Sequence, residues 1–266
     1  MTLEESTTSE QAAEFETAGL WLLTRSWFVL AGLVATAAVL TIRSLSVPLA
    51  ETTYAPAFPY LSFPISFAPT WVEPVTLRLP ALQGLKPSYL VTTIGLWVVA
   101  TVAVTVAAGL LWWAFGRESG VLPPFSRLGW LTAYGVAAVV STSLAVELVA
   151  GLIPPAWTAM EWGGGLGLAL VAGRLFVAPV TIVLDGRRPL SAIRFSVRSL
   201  GGVRWTLAAT GLVLALAFAR HLVTAPFGAF GGGRLGLSLT IVVGTAIVGS
   251  AHAFAMYFVY DRIAMH

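Results

Sequence analysis

The chain has no cysteine, no asparagine, a single lysine (Lys86) and only two glutamines, and charged residues make up just 10% of its 266 positions. Without cysteine there is no disulfide, iron–sulfur cluster, thiolate zinc site or thiol nucleophile, and no indication of redox compartment. Without asparagine there is no N-glycosylation sequon. Basic charge rests almost wholly on arginine, a bias that reflects GC-rich codon usage and carries no functional meaning. The scarcity of charge excludes most. A water-facing globule carries roughly 25% charged residues, whereas this chain is 57% apolar with a mean hydropathy of +0.85. These values exclude a soluble enzyme and predict an integral membrane protein of the all-α class. The sequence pI of about 9.6 comes from arginines beside apolar runs, so it is no sign of nucleic-acid binding.

A spanning helix needs about 20 mainly apolar residues. Six such runs predict a polytopic bundle of six transmembrane helices, over 27–47, 89–115, 128–153, 165–184, 203–223 and 235–260. With six spans, one face holds Arg25, Arg117, Arg127, Arg187, Arg188, Arg194, Arg198, Arg204 and Arg262. The opposite face holds Arg43, Arg78, Lys86, Arg220 and Arg234. The richer face is cytoplasmic by the positive-inside rule, which predicts a multi-pass cell-membrane protein with both termini inside. Trp112, Trp113, Trp130, Trp205, Tyr257 and Tyr260 fall at the predicted inner ends, and Tyr89, Trp157 and Trp162 at the outer ends, as an aromatic belt requires.

Two segments lie outside this plan. Residues 1–19 carry five glutamates and no basic residue, the opposite of a signal peptide, and read as an acidic cytoplasmic tail. Residues 48–87 hold a proline every few positions among Tyr54, Phe58, Tyr60, Phe63, Phe67 and Trp71. Proline removes donors and breaks helix, which lipid does not tolerate. This stretch therefore predicts an extracellular Pro-rich loop folded over the outer mouth, with a short strand over Val75–Leu79; a gating or partner-binding lid is the alternative.

Charges within spans are candidate functional groups because burying them is costly. Three stand out: Glu147, Arg174 and His252. Glu147 and Arg174 fall at depths differing by about 5 Å on consecutive helices, which permits an ion pair. His252 follows Ser250 by two positions, so the two point to different faces of a helix and form no local nucleophile–base pair. No cluster of His, Asp and Glu has metal-ligand spacing, and neither glycine triplet (163–165, 231–233) has the context of a phosphate loop. These absences predict a protein with no cofactor, no metal and no catalytic constellation.

The richest segment follows the fourth run. Asp185-Gly186 predicts a turn, and Pro189 suits the first turn of a helix. Leu190, Ile193, Val197 and Leu200 make an apolar stripe flanked by Arg194 and Arg198. A cytoplasmic amphipathic helix over 189–200 is expected, with Arg187, Arg188, Arg194 and Arg198 docking anionic lipid head groups or a protein partner.

This segment carries a resemblance. Arg174-Leu-Phe-Val-Ala-Pro179, Asp185-Gly186, Ala192-Ile-Arg-Phe-Ser196 and Gly201-Gly202 resemble the membrane domain of glycerophosphoryl diester phosphodiesterases and related six-helix prokaryotic membrane proteins. The likeness covers roughly residues 170–210. It implies membrane residence and makes Arg174 and Ser196 family-pattern positions. It implies no catalytic residues, since the soluble phosphodiesterase domain with its metal ligands has no room here. The sequence thus predicts a non-enzymatic scaffold or membrane-organising component. The alternative is a transporter or permease subunit with Glu147 and Arg174 in a pathway and helix 189–200 as a coupling element. A third, an intramembrane enzyme, would need Ser250, His252 and Glu147 brought together by the fold.

Overall fold

The structure is a computed structural model and describes residues 25–41, 87–116, 122–152, 158–228 and 234–265. The acidic tail, the Pro-rich segment through residue 86 and the strand expected over Val75–Leu79 lie outside the described residues. Within them, all regular structure is helical. In chain order the elements are α1 (Arg25–Thr41), α2 (Pro87–Gly116), α3 (Phe125–Leu152), α4 (Thr158–Arg174), α5 (Ala178–Leu184), α6 (Pro189–Ser199), α7 (Val203–Gly228), α8 (Arg234–Val243) and α9 (Ser250–Ala264). A π turn, Gly244–Gly249, joins α8 to α9. Among the described residues, four stretches are long and apolar enough to cross a membrane: Pro87–Gly116, Leu166–Leu184, Val203–Phe227 and Leu235–Ala264.

Backbone polar groups must be satisfied inside such a bundle, and so must hydroxyls. The buried threonines do this locally. Thr36, Thr105 and Thr142 each donate to the carbonyl four residues back, at 2.7–2.8 Å. Helices meet where side chains are small. A Cβ on Gly173 would lie 2.5 Å from Thr210 Oγ1 and 2.9 Å from its backbone nitrogen, so α4 and α7 pack nearly backbone to backbone. That contact makes α7 the main partner of α4, which touches its sequence neighbour α3 at few points. The antiparallel pairing of the third and fourth helices is therefore less intimate than their short connection suggests.

Directions follow from the contacts. Phe28 of α1 lies beside Gly249, and Gly32 faces Val242, so α1 runs antiparallel to the α8–α9 rod. Trp112 Nε1 donates to the Ala253 carbonyl at 2.7 Å, and the Tyr257 hydroxyl donates to the Phe115 carbonyl at 3.1 Å. The end of α2 and the end of α9 thus share one end of the bundle, with the start of α1. Arg127, Arg187, Arg188, Arg194 and Arg198 gather there too, and it is called the basic end below.

Short α5 sits at the centre, in contact with α2, α3, α6 and α9. Ala178, Pro179, Val180, Thr181, Ile182 and Val183 are all buried. Trp112, expected in the aromatic belt, instead lies wholly inside the core, while Trp130 and Trp205 keep exposed rings. Arg220, expected at the outer flank, is buried within α7, which continues past it to Gly228.

Candidate functional site at the basic end

The fourth apolar run forms two helices with an interruption at 175–177. Pro179 explains the break: it has no N–H for the Leu175 carbonyl, and its ring would crowd that carbonyl in a continuous helix. The chain tightens in response. The Ala178 N–H turns to the Leu175 carbonyl at 3.1 Å, not to that of Arg174. The released Arg174 carbonyl accepts from the Ser196 hydroxyl of α6 at 2.8 Å. A polar group set free within an apolar run is thus satisfied from another helix.

Ser196 reaches the break because α6 is pressed against α5. Its buried positions are Ala192 and Ser196, followed by Leu200 just beyond its end. The small residues face the bundle; of the apolar stripe, Leu200 is buried and Ile193 half-buried, whereas Leu190 is 72% exposed and Val197 is also exposed, free to meet the membrane interface. Small side chains permit the close approach that Ser196 needs, so the larger aliphatic residues turn outward.

The α5–α6 turn is fixed from three sides. Arg127, at the start of α3, donates through Nη1 to the Val183 and Leu184 carbonyls at 2.8 and 2.7 Å. A guanidinium at a helix C-terminus meets both the unpaired carbonyls and the negative end of the dipole. It also lies over the Trp113 ring, 5.5 Å from the centroid. Gly186 has φ of +67°, and a Cβ there would meet the Arg127 guanidinium at 3.2–3.3 Å. Asp185 then divides its carboxylate: Oδ1 accepts from the Tyr260 hydroxyl of α9 at 2.5 Å, and Oδ2 from Arg187 Nε at 2.8 Å. The Arg187 guanidinium lies 4.3 Å from the Phe195 ring centroid.

Beyond this turn lies an open groove of about 560 Å³ whose lining includes Trp130, Arg187, Arg188, Leu190, Arg194 and Arg198. Among the described residues, no carboxylate lines it. Arg187 is neutralised by Asp185. Arg188, Arg194 and Arg198 have no acidic partner among the described residues. The four arginines expected to dock a ligand therefore come together on one surface, with one of them already engaged.

The intramembrane candidates fare differently. His252 is buried, its ring stacked on Phe176 at 5.5 Å and 17°, so it borders the helix break. Arg174 is half-buried at the same break, with no side-chain hydrogen bond or ion pair among the described residues. The Glu147 side chain lies outside the described residues, and with it the Glu147–Arg174 ion pair that their depths permit. Ser250 turns its hydroxyl back on its own helix, to the Ala246 and Ile247 carbonyls at 2.5 and 3.0 Å. Among the described residues, no group of three His, Asp or Glu side chains is placed to hold a metal ion.

The sequence marks Arg127 only as one of the inner-face arginines and Tyr260 only as part of the aromatic belt, although both hold the turn that presents the groove. Their partners are 57 and 75 residues away, and local spacing carries no sign of such contacts. Comparisons with protein-family models, characterised proteins and solved structures found no match to this chain.

Proposed function

We propose that the chain is a non-enzymatic, six-span membrane protein with both termini in the cytoplasm, which organises the bilayer around it by holding anionic head groups at its basic end. One observation carries this reading: a braced turn presents Arg188, Arg194 and Arg198 in a groove that no acidic side chain lines among the described residues. Polybasic surfaces at the inner leaflet gain about 1 kcal/mol per arginine from anionic lipid. The helix break supports a structural role for the neighbouring span, because Ser196 already takes the released Arg174 carbonyl. Discontinuous helices in transporters instead offer such carbonyls to a substrate or ion. The resemblance to the membrane domain of glycerophosphoryl diester phosphodiesterases fits the same reading, since it too implies membrane residence without catalytic residues.

The test uses the full chain in vesicles of phosphatidylcholine with phosphatidylglycerol. The expected result is enrichment of the anionic lipid in the protein's boundary layer, screened away by salt, with no lipid turnover. Equal partition of the two lipids removes the reading. So does turnover of a phosphodiester lipid that a single substitution at His252 or Arg174 abolishes. Solute flux through the same vesicles, lost on changing Arg174, would favour the permease alternative.

A further inference from the structure

The groove at the basic end has more positive character than a generic lipid-facing surface requires. Arg194 and Arg198 are one turn apart on the same helix, a like-charge arrangement that disfavours the helix by a few tenths of a kcal/mol unless an anion sits between them. Ser191 shares their face. Arg188 is the N-cap residue of α6, with extended backbone and no side-chain cap bond. The first backbone bond of the helix runs from the Ala192 N–H to the Arg188 carbonyl at 2.9 Å. Pro189 has no N–H, so the Leu190 and Ser191 N–H groups precede the first helical bond and point out of the helix start, beside the three arginines. Arg187, by contrast, is held by Asp185 and Phe195 and adds no unbalanced charge.

We infer that this groove is a binding site for a terminal phosphate group, a phosphomonoester or diphosphate, in preference to the phosphodiester of common anionic lipids. The inference rests on the proposed head-group role and names its ligand chemistry. A phosphodiester brings a single negative charge. A terminal phosphate brings about 1.5 to 2 at neutral pH and three acceptor oxygens. Three unbalanced guanidiniums and a helix start match the second far better than the first. Exposed Leu190 and the exposed Trp130 ring border the groove, and they give an acyl chain an apolar path away from the phosphate. Lipid-borne and soluble terminal phosphates share this chemistry.

The full chain in phosphatidylcholine nanodiscs, doped with phosphatidic acid or with phosphatidylglycerol at equal mole fraction, tests the inference. Lipid retained by the protein on release is counted by native mass spectrometry. Phosphatidic acid is expected to be held about tenfold more tightly, and the Arg194→Gln/Arg198→Gln variant to lose that preference. Arg188→Gln, outside the regular helix, reads the same site without altering α6. Arg204→Gln, exposed and outside the groove, leaves the preference unchanged. Glycerol 3-phosphate that displaces the lipid identifies a soluble ligand of the same chemistry; failure to displace it identifies a lipid-borne one. Equal retention of the two anionic lipids overturns the terminal-phosphate inference while the head-group reading stands. Retention of neither overturns both.

Discussion

At the scale of single residues, the basic end depends on positions whose role lies in backbone geometry. Gly186 is the clearest. Its φ of +67° places it in the left-handed region, which costs an L-residue about 1–2 kcal/mol. A Cβ there would also crowd the Arg127 guanidinium at 3.2–3.3 Å, so that side chain would have to shift. Gly186→Ala should therefore destabilise the protein by at least that amount, because the backbone penalty adds to the crowding of the guanidinium that holds the turn. Gly129→Ala is the matched comparison. No atom lies within 4 Å of its Cβ position, so the change should be neutral or stabilise by up to about 1 kcal/mol. Denaturant titration of the solubilised protein, followed by circular dichroism, measures both. A cost at Gly186 no larger than the backbone penalty alone would mean that Arg127 does not brace the turn. Asp185-Gly186 was legible as a turn from sequence. The reason only glycine suits the second position was not, because it lies on another helix.

At the scale of elements, the interruption between α4 and α5 sets where α6 must go. Its energetic logic is separable by a double-mutant cycle. Ser196→Ala leaves the Arg174 carbonyl without its donor in a buried place, at a cost of about 1–3 kcal/mol. Pro179→Ala restores an N–H and removes the ring that breaks the helix, so the Ala178 N–H can return to the Arg174 carbonyl. In that background the Ser196→Ala cost should fall to within about 0.5 kcal/mol of zero, giving a coupling of 1 kcal/mol or more. Additive costs would show that Ser196 acts elsewhere. The same element shows where periodicity misleads. A run of apolar residues from 165 to 184 was legible as a span, and Pro179 was visible in it, but hydropathy does not register a break whose released carbonyl is satisfied from a distance. The 3.6-residue pattern of α6 was likewise legible. It marked Leu190 and Val197 as a face for the membrane interface, and both are exposed, but it gave no sign that close approach to the break demands the small residues Ala192 and Ser196 on the bundle side. The groove's arginines were legible as a cluster because they are close in sequence. Asp185's neutralisation of one of them was visible only in three dimensions.

At the scale of the whole molecule, the contacts impose a parity. The start of α1 and the end of α9 share the basic end, so the path between them crosses the bundle an even number of times. The proposed orientation puts that end in the cytoplasm, on the ground that basic residues near span ends resist translocation. Packing bears on which ends lie together and charge on which side they face, and a labelling experiment reads both. The chain has no cysteine, so single cysteines can be introduced without background. Met265→Cys and Ser191→Cys, both exposed at the basic end, should react with a membrane-impermeant maleimide only after cells are permeabilised. Gly232→Cys, between α7 and α8, should react in intact cells. If Met265 and Ser191 label from opposite sides, the packing of α9 against the α5–α6 turn through Tyr260 and Asp185 is wrong. If both label in intact cells while Gly232 does not, the packing stands and the orientation is inverted, which would face the arginine groove away from the anionic leaflet and remove the physical basis for head-group binding there.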